Sequence, residues 1–379
     1  MRVRLGEVCE INMGQSPASS TYNEEEKGLP FFQGNADFGE IYPTARIWCD
    51  EPTKVAHIGD ILISVRAPIG ALNLSNCKCC IGRGLAALTV NKNICLQKYL
   101  WYVLAGKNGE LNSKGTGSTF KAINKNILAE TEIPLPSLDE QHKIVMLLDK
   151  VSGVIAERRK QVERLDDLVK SRFIEMFGDP EYNTKNLPVF KLSKLCNVGS
   201  SKRIYQSEQS AAGIPFLRIS DLNDRIDKGI ETSELFIPFE KYTELHEQGL
   251  VPEFGDILVT SRGTLGKCYI VKKTDNFYFQ DGMISWLSEM DENVTSLYIA
   301  HLFAMPDIQK QIANLQVGST VAYLSIAMLK KLDIMLPPLE TQHQYSVFVQ
   351  QTDKLELVAQ KSLEKLEILK KSLMQQYFG

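Results

Sequence analysis

The chain is expected to be an α+β protein built from two duplicated, loop-rich globules separated by a pair of long antiparallel helices, a coiled coil with pseudo-two-fold symmetry. Three observations lead there. A stretch near residue 117 is written again near residue 318, the strand-type segments ahead of it recur in the same order, and each copy closes on an apolar stripe far longer than a core helix needs.

Gly117-Ser118-Thr119, followed by Ile133 through His142, returns as Gly318-Ser319-Thr320 followed by Ile334 through His343. Phe177-Gly178 returns at the same displacement as Phe378-Gly379. Ahead of these, Leu5 through Ile11 matches Leu192 through Val198, Gly28-Leu29-Pro30-Phe31-Phe32 matches Gly213-Ile214-Pro215-Phe216-Leu217, and Gly59 through Arg66 matches Gly255 through Arg262. So long a period is not that of a solenoid, whose units run about 20 to 50 residues. It describes a duplicated domain.

A chain of 379 residues suits two or three domains. It has no apolar run of the roughly 18 residues that a membrane span requires and no signal-peptide pattern, so a cytoplasmic location is expected. The 8 cysteines are then expected to be free thiols. The cluster Cys77-Lys78-Cys79-Cys80 lacks the paired spacing and nearby histidines of a zinc site, so no metal is assigned. The 43 basic residues against 46 acidic ones leave a net charge of −3, so any contact with nucleic acid must come from local patches.

In chain order, Asp60–Val65 and Ala86–Val90 are short, apolar and bounded by glycine, as strands are. Leu96, Leu100, Val103 and Leu104 have helical spacing and end at Ala105-Gly106, with a counterpart helix from about Leu297 to Met305. Ser137-Leu138-Asp139-Glu140 has the form of a capping box, opening a helix of about 40 residues and about 60 Å. Its seam is expected at Ile144, Leu147, Val151, Val154, Leu165 and Leu168. That of the second copy is expected at Tyr345, Phe348, Thr352, Leu355, Ala359, Leu366, Leu369 and Leu373. Pro338 stands where the first copy has Ser137, so the second start is expected to lean on proline at the first turn. Each stripe is the natural partner of the other, and antiparallel pairing is favoured because the first helix leads directly into the second globule. The expected divisions are 1–135, 136–178, 179–335 and 336–379.

No catalytic constellation is present. Gly263-Thr264-Leu265-Gly266-Lys267 resembles a phosphate loop, but Ser261 stands where the first glycine should be and Cys268 follows the lysine. His142 and His343, at matched helix starts, are expected to pack or hydrogen-bond near a capped terminus. Arg66 and Arg262 each follow a Gly-Asp-Ile-Leu strand. Their planar forks suit a base edge or a phosphate, the alternative being an ion pair with Asp60 or Asp256. Arg83, Lys121, Arg218 and Lys267 are further candidates for DNA contact, as are the hydroxyls of Ser118, Thr119, Ser319 and Thr320, whose loops could equally be packing turns.

Taken together, two halves each with a G-D-I-L-x-x-x-R segment, a Gly-Ser-Thr loop, a proline boundary followed by Gln-His, and a terminal Phe-Gly resemble the specificity subunit of a Type I restriction-modification system over essentially the whole chain. The resemblance implies that 1–135 and 179–335 are target-recognition domains, each reading one half of a split double-stranded DNA site. It implies that the helices in 136–178 and 336–379 pair and dock two methyltransferase (modification) subunits, joined by restriction/translocase subunits. It further implies a non-catalytic chain without cofactor of its own, with S-adenosylmethionine, ATP and Mg on the partner subunits. The absence of the adenine-methyltransferase N/D-P-P-Y/F tetrapeptide fits that division of labour. The alternative is a pseudosymmetric protein–protein adaptor that does not touch DNA.

Overall fold

The duplicated strand Ile61–Ser64 is buried at all four positions, three of them apolar, as a strand covered on both faces requires. Ile61 and Ile63 enter one core with Tyr99, Val103 and Leu111, while Leu62 enters another with Phe32, Ile81 and Ala87. Its counterpart Ile257–Thr260 does the same, Ile257 and Val259 facing one core and Leu258 the other. A computed structural model of the chain describes residues 1–116, 121–316 and 322–379. It divides into two units, Met1–Lys160 with Ala359–Gly379, and Gln161–Val358.

In the first unit a four-stranded antiparallel sheet runs in the order Cys9–Met13, Leu85–Val90, Ile61–Ser64, Leu72–Leu74. In the second the order is Asn197–Gly199, Ile284–Ser288, Ile257–Thr260, Cys268–Ile270, again antiparallel. A parallel pair recurs beside each: Leu29–Phe32 with Cys79–Ile81, and Ile214–Leu217 with Tyr278–Phe279. So does a short antiparallel pair, Arg2–Arg4 with Glu132–Pro134 and Val189–Lys191 with Asp333–Met335. The second unit adds helices Ile219–Lys228 and Phe239–Glu247 after its parallel strand. The predicted short helix of each half is present at Gln97–Gly106 and Ser296–Phe303.

The long helices span Leu138–Phe177 and Leu339–Phe378, each of 40 residues. The first opens on the capping box: the Glu140 amide donates to Ser137 Oγ (3.3 Å) and the Ser137 amide to Glu140 Oε2 (3.2 Å). The second begins directly after Pro338, whose carbonyl accepts the Thr341 and Gln342 amides.

Within each unit the start of one long helix packs beside the end of the other. In the first unit Val145 and Leu148 share a core with Leu373, Met374 and Phe378, and Arg159 pairs with Glu367. In the second, Phe173 and Phe177 meet the Tyr345 ring at 5.5 and 5.2 Å. Along the first of these contacts residue numbers run in opposite directions, and in both units a helix start lies beside a helix end, so the pairing is antiparallel.

The seam itself departs from the expected one. Of the expected positions Val151, Tyr345, Thr352 and Ala359 are buried, but Leu147, Val154, Leu168, Leu355 and Leu369 are exposed, and Val145, Leu148, Ile155, Phe173, Phe177, Val349 and Phe378, which the expected seam omits, are buried. Ile144, Leu165, Phe348, Leu366 and Leu373 are half-buried. Pairs such as Leu147-Leu148 and Val154-Ile155 lie about 100° apart around a helix of 3.6 residues per turn, so the apolar pattern marks two adjacent faces and does not say which one pairs.

Candidate nucleic-acid interface

The Asp of each Gly-Asp-Ile-Leu segment is a structural residue. Asp60 Oδ2 accepts the His57 amide (2.7 Å) and Oδ1 the Thr89 hydroxyl (2.7 Å), while Asp256 Oδ2 accepts the Glu253 amide and the Trp286 indole N–H, both at 2.8 Å. Each carboxylate closes the turn before its strand and ties it to the neighbouring strand. Burial pushes the Asp256 carboxyl up. Neither aspartate has an ion-pair partner among the described residues, so neither neutralises the arginine at the far end of its strand.

Arg66 and Arg262 sit where the spacing places them, at exposed positions just past the strand ends. Each backbone is fixed by a bridge, Arg66 to Ala122 and Arg262 to Tyr323, and the Ser64 hydroxyl donates to the Arg66 carbonyl at 2.7 Å. The Arg262 guanidinium lies over the Tyr323 ring, 5.0 Å from its centroid.

In the first unit Arg66 and Arg83 line one cleft of about 380 Å³, together with Gln33, Asn35, Asp37 and Arg46 over a floor of Phe31 and Ile47. Gly82 and Gly84 flank Arg83 and make this possible: a Cβ on Gly84 would collide with the Gln33 carbonyl oxygen, and one on Gly82 would stand 2.9 Å from Gln33 Cα. Asp37 is spent inside the cleft wall, its carboxylate accepting the Gln33 amide (2.8 Å) and the Arg46 guanidinium. No side-chain hydrogen bond or ion pair of Arg66 or Arg83 occurs among the described residues.

The second unit places its candidates differently. Arg218, at the position matching Gln33, is held by Asp221 (3.3 Å) and Glu234 (3.1 Å), which raise its guanidinium pKa further. Lys267 is bound by both oxygens of Asp227 at 2.6 Å. The segment resembling a phosphate loop is folded onto itself, with the Lys267 amide donating to Thr260 Oγ1 at 2.9 Å. Lys121 is exposed beside the bridge at Ala122. Ser118, Thr119, Ser319 and Thr320 lie outside the described residues.

Cys79 and Cys80 are buried in a strand, and burial pushes their thiols up to about 12 and about 11. His142 and His343 are exposed, so the structural task expected of them falls on their neighbours. Gln141 is fully buried: its Oε1 accepts the Leu96 amide (2.8 Å), and its Nε2 donates to the carbonyls of Ile94 and Pro136, both at 2.9 Å. Gln342 repeats this with the Thr295 amide (2.8 Å) and the carbonyls of Asn293 and Pro337, both at 2.9 Å. The sequence signal was present in the duplicated Gln-His, but the other residue of the pair carries it. Gln33, Asn35 and Arg46 had no repeat to mark them, because the loops that hold them differ between the units.

The structure is thus two versions of one loop-bearing unit that present different side chains at matching turns. The comparisons agree. The chain belongs to the type I restriction modification DNA specificity domain family, whose model matches residues 1–164 and 184–367. It is similar to the putative type I restriction enzyme MjaX specificity subunit of Methanocaldococcus jannaschii, 44% identical over 170 residues, which cover 44% of this chain and 40% of that one. The MjaVIII specificity subunit of the same organism is 27% identical over 73% of this chain and 68% of the relative. The EcoBI specificity subunit of Escherichia coli is 20% identical over all of this chain and 85% of the relative. Among solved structures, the S subunit of a type I restriction-modification system from M. genitalium superposes with a TM-score of 0.59 at 17% identity, covering 100% of this chain and 96% of that one. A chain from a structural study of assembly and conformational transition in the type I system gives 0.64 at 18%, covering 100% and 97%.

Proposed function

We propose that this chain reads a bipartite, asymmetric DNA site, one half with each unit, and scaffolds two adenine-methylating subunits and the restriction/translocase subunits. The carrying observation is the pair of 40-residue helices, each of which starts in one unit and ends in the other. Further support comes from apolar side chains that these helices leave exposed, among them Met146, Val154, Val347, Leu355, Val358 and Ile368, which suit docking of a partner protein. S-adenosylmethionine, ATP and Mg are assigned to the partner subunits, which supply the chemistry. The contribution of this chain is the choice of sequence, through side chains that meet base edges, and the spacing of the two halves.

The helices would then act as a ruler. Inserting one heptad at matched points of both lengthens the pair by about 10 Å, or about 3 bp at roughly 3.4 Å per pair. Methylation mapping of the variant complex is expected to show both half-sites unchanged and the gap between them longer by about that amount. An unchanged gap contradicts the ruler.

A further inference from the structure

We infer that Arg66 and Arg83 are specificity-determining residues that read guanine in the half-site of the first unit, an assignment that rests on the DNA-reading function proposed above. The cleft they line holds two guanidinia that no carboxylate engages: the one carboxylate in its wall, Asp37, already accepts the Gln33 amide and the Arg46 guanidinium, and Gln33 and Asn35 add neutral amides. Such a surface complements the major-groove edge that carries two acceptors side by side, N7 and O6 of guanine, to which an arginine fork binds through two parallel hydrogen bonds.

Both guanidinia are held at fixed origins. Arg66 has its backbone bridged to Ala122 and its carbonyl bound by Ser64, and Arg83 stands on a turn that Gly82 and Gly84 press against Gln33. A backbone so anchored fixes where each fork emerges, as a bidentate contact with one base edge requires.

The second unit sharpens the assignment. The turn after its parallel strand, where Gln280 donates to Leu217 as Gly82 donates to Phe32, carries Asp281 in place of Arg83. Asp281 is bound by Arg203 at 3.0 Å. One turn of the duplicated fold thus bears opposite charges in the two units, so the two half-sites differ in donor and acceptor pattern at the base pair that meets it.

The test is methylation mapping in cells that express the full chain with its modification subunits, comparing wild type with Arg66→Lys and Arg83→Lys. Lysine keeps the charge and loses the fork, so a base contact fails where a phosphate contact survives. The wild type is expected to methylate a two-part motif with guanine in one half. Each variant is expected to lose discrimination at one such position by roughly 5- to 150-fold, with the other half-site unchanged as an internal control for folding. Motifs identical to wild type in both variants, uniform weakening of both halves, or a wild-type motif without guanine in either half overturns the assignment and leaves the DNA-reading function standing. Absence of any two-part motif from the wild type overturns that function itself.

Discussion

His301 shows how a single residue records its surroundings. Its Nδ1 lies 2.7 Å from the Tyr345 hydroxyl, on the short helix where it meets the start of the second long helix, and burial lowers its pKa to about 4. The unfolded chain, with a histidine pKa near 6.5, binds the proton more readily than the folded one, so stability is full above about pH 6.5 and falls as the pH drops toward 4. Between pH 7 and 5 the loss is expected to be about 2 kcal/mol, read as a lower urea midpoint, and His301→Gln is expected to remove that part of the slope. A wild-type slope unchanged in the variant contradicts the assignment. At this scale the sequence located the strand-end arginines correctly, because a short strand buried on both faces that gives way to a glycine-containing loop must bring the chain to the surface at that end. It could not tell a free arginine from a paired one. Arg218 and Lys267 differ from Arg66 and Arg83 through Asp221, Glu234 and Asp227, which belong to a helix and loop that only the second unit has.

At the scale of elements, the buried glutamines fix where each long helix leaves its unit. Gln141 and Gln342 each bind one amide and two carbonyls that have little access to water. Replacing either with alanine leaves those groups unpaired and is expected to cost about 3 kcal/mol by urea denaturation. His142→Ala, one residue away and exposed, is expected to change stability by about 0.5 kcal/mol or less. Equal effects at both positions contradict the role given to Gln141. The helices themselves were legible from the capping box and the absence of breakers, and their antiparallel sense from connectivity. The paired face was not legible, since the stripe is two residues wide at Leu147-Leu148, Val154-Ile155 and Val358-Ala359, and periodicity alone ranks both edges equally. An apolar residue left exposed there is itself informative, because two apolar faces on one helix call for two partners.

For the whole molecule, duplication was the most legible property. Repeated strand, turn and helix signals in fixed order lead to matching sheets, matching parallel pairs and matching helix starts. The reading surfaces were least legible for a physical reason: side chains that choose between base sequences are under no packing constraint, so neither period nor repeat marks them. Gln33 against Arg218, and Arg83 against Asp281, are differences visible only once the strands that carry them are superimposed. They are also what a protein reading two different half-sites requires. The net charge of −3 is compatible with this, since Arg66 and Arg83 form a local patch while much of the remaining charge in the second unit is paired internally. The central claim, that this chain alone selects the DNA sequence, is tested most directly by single-molecule sequencing of methyladenine in cells carrying its modification subunit with and without the chain. Methyladenine in a two-part motif that disappears on removal of the chain is the expected result. Methylation that persists unchanged without the chain, or that is absent with it while the modification subunit is demonstrably expressed, contradicts the account.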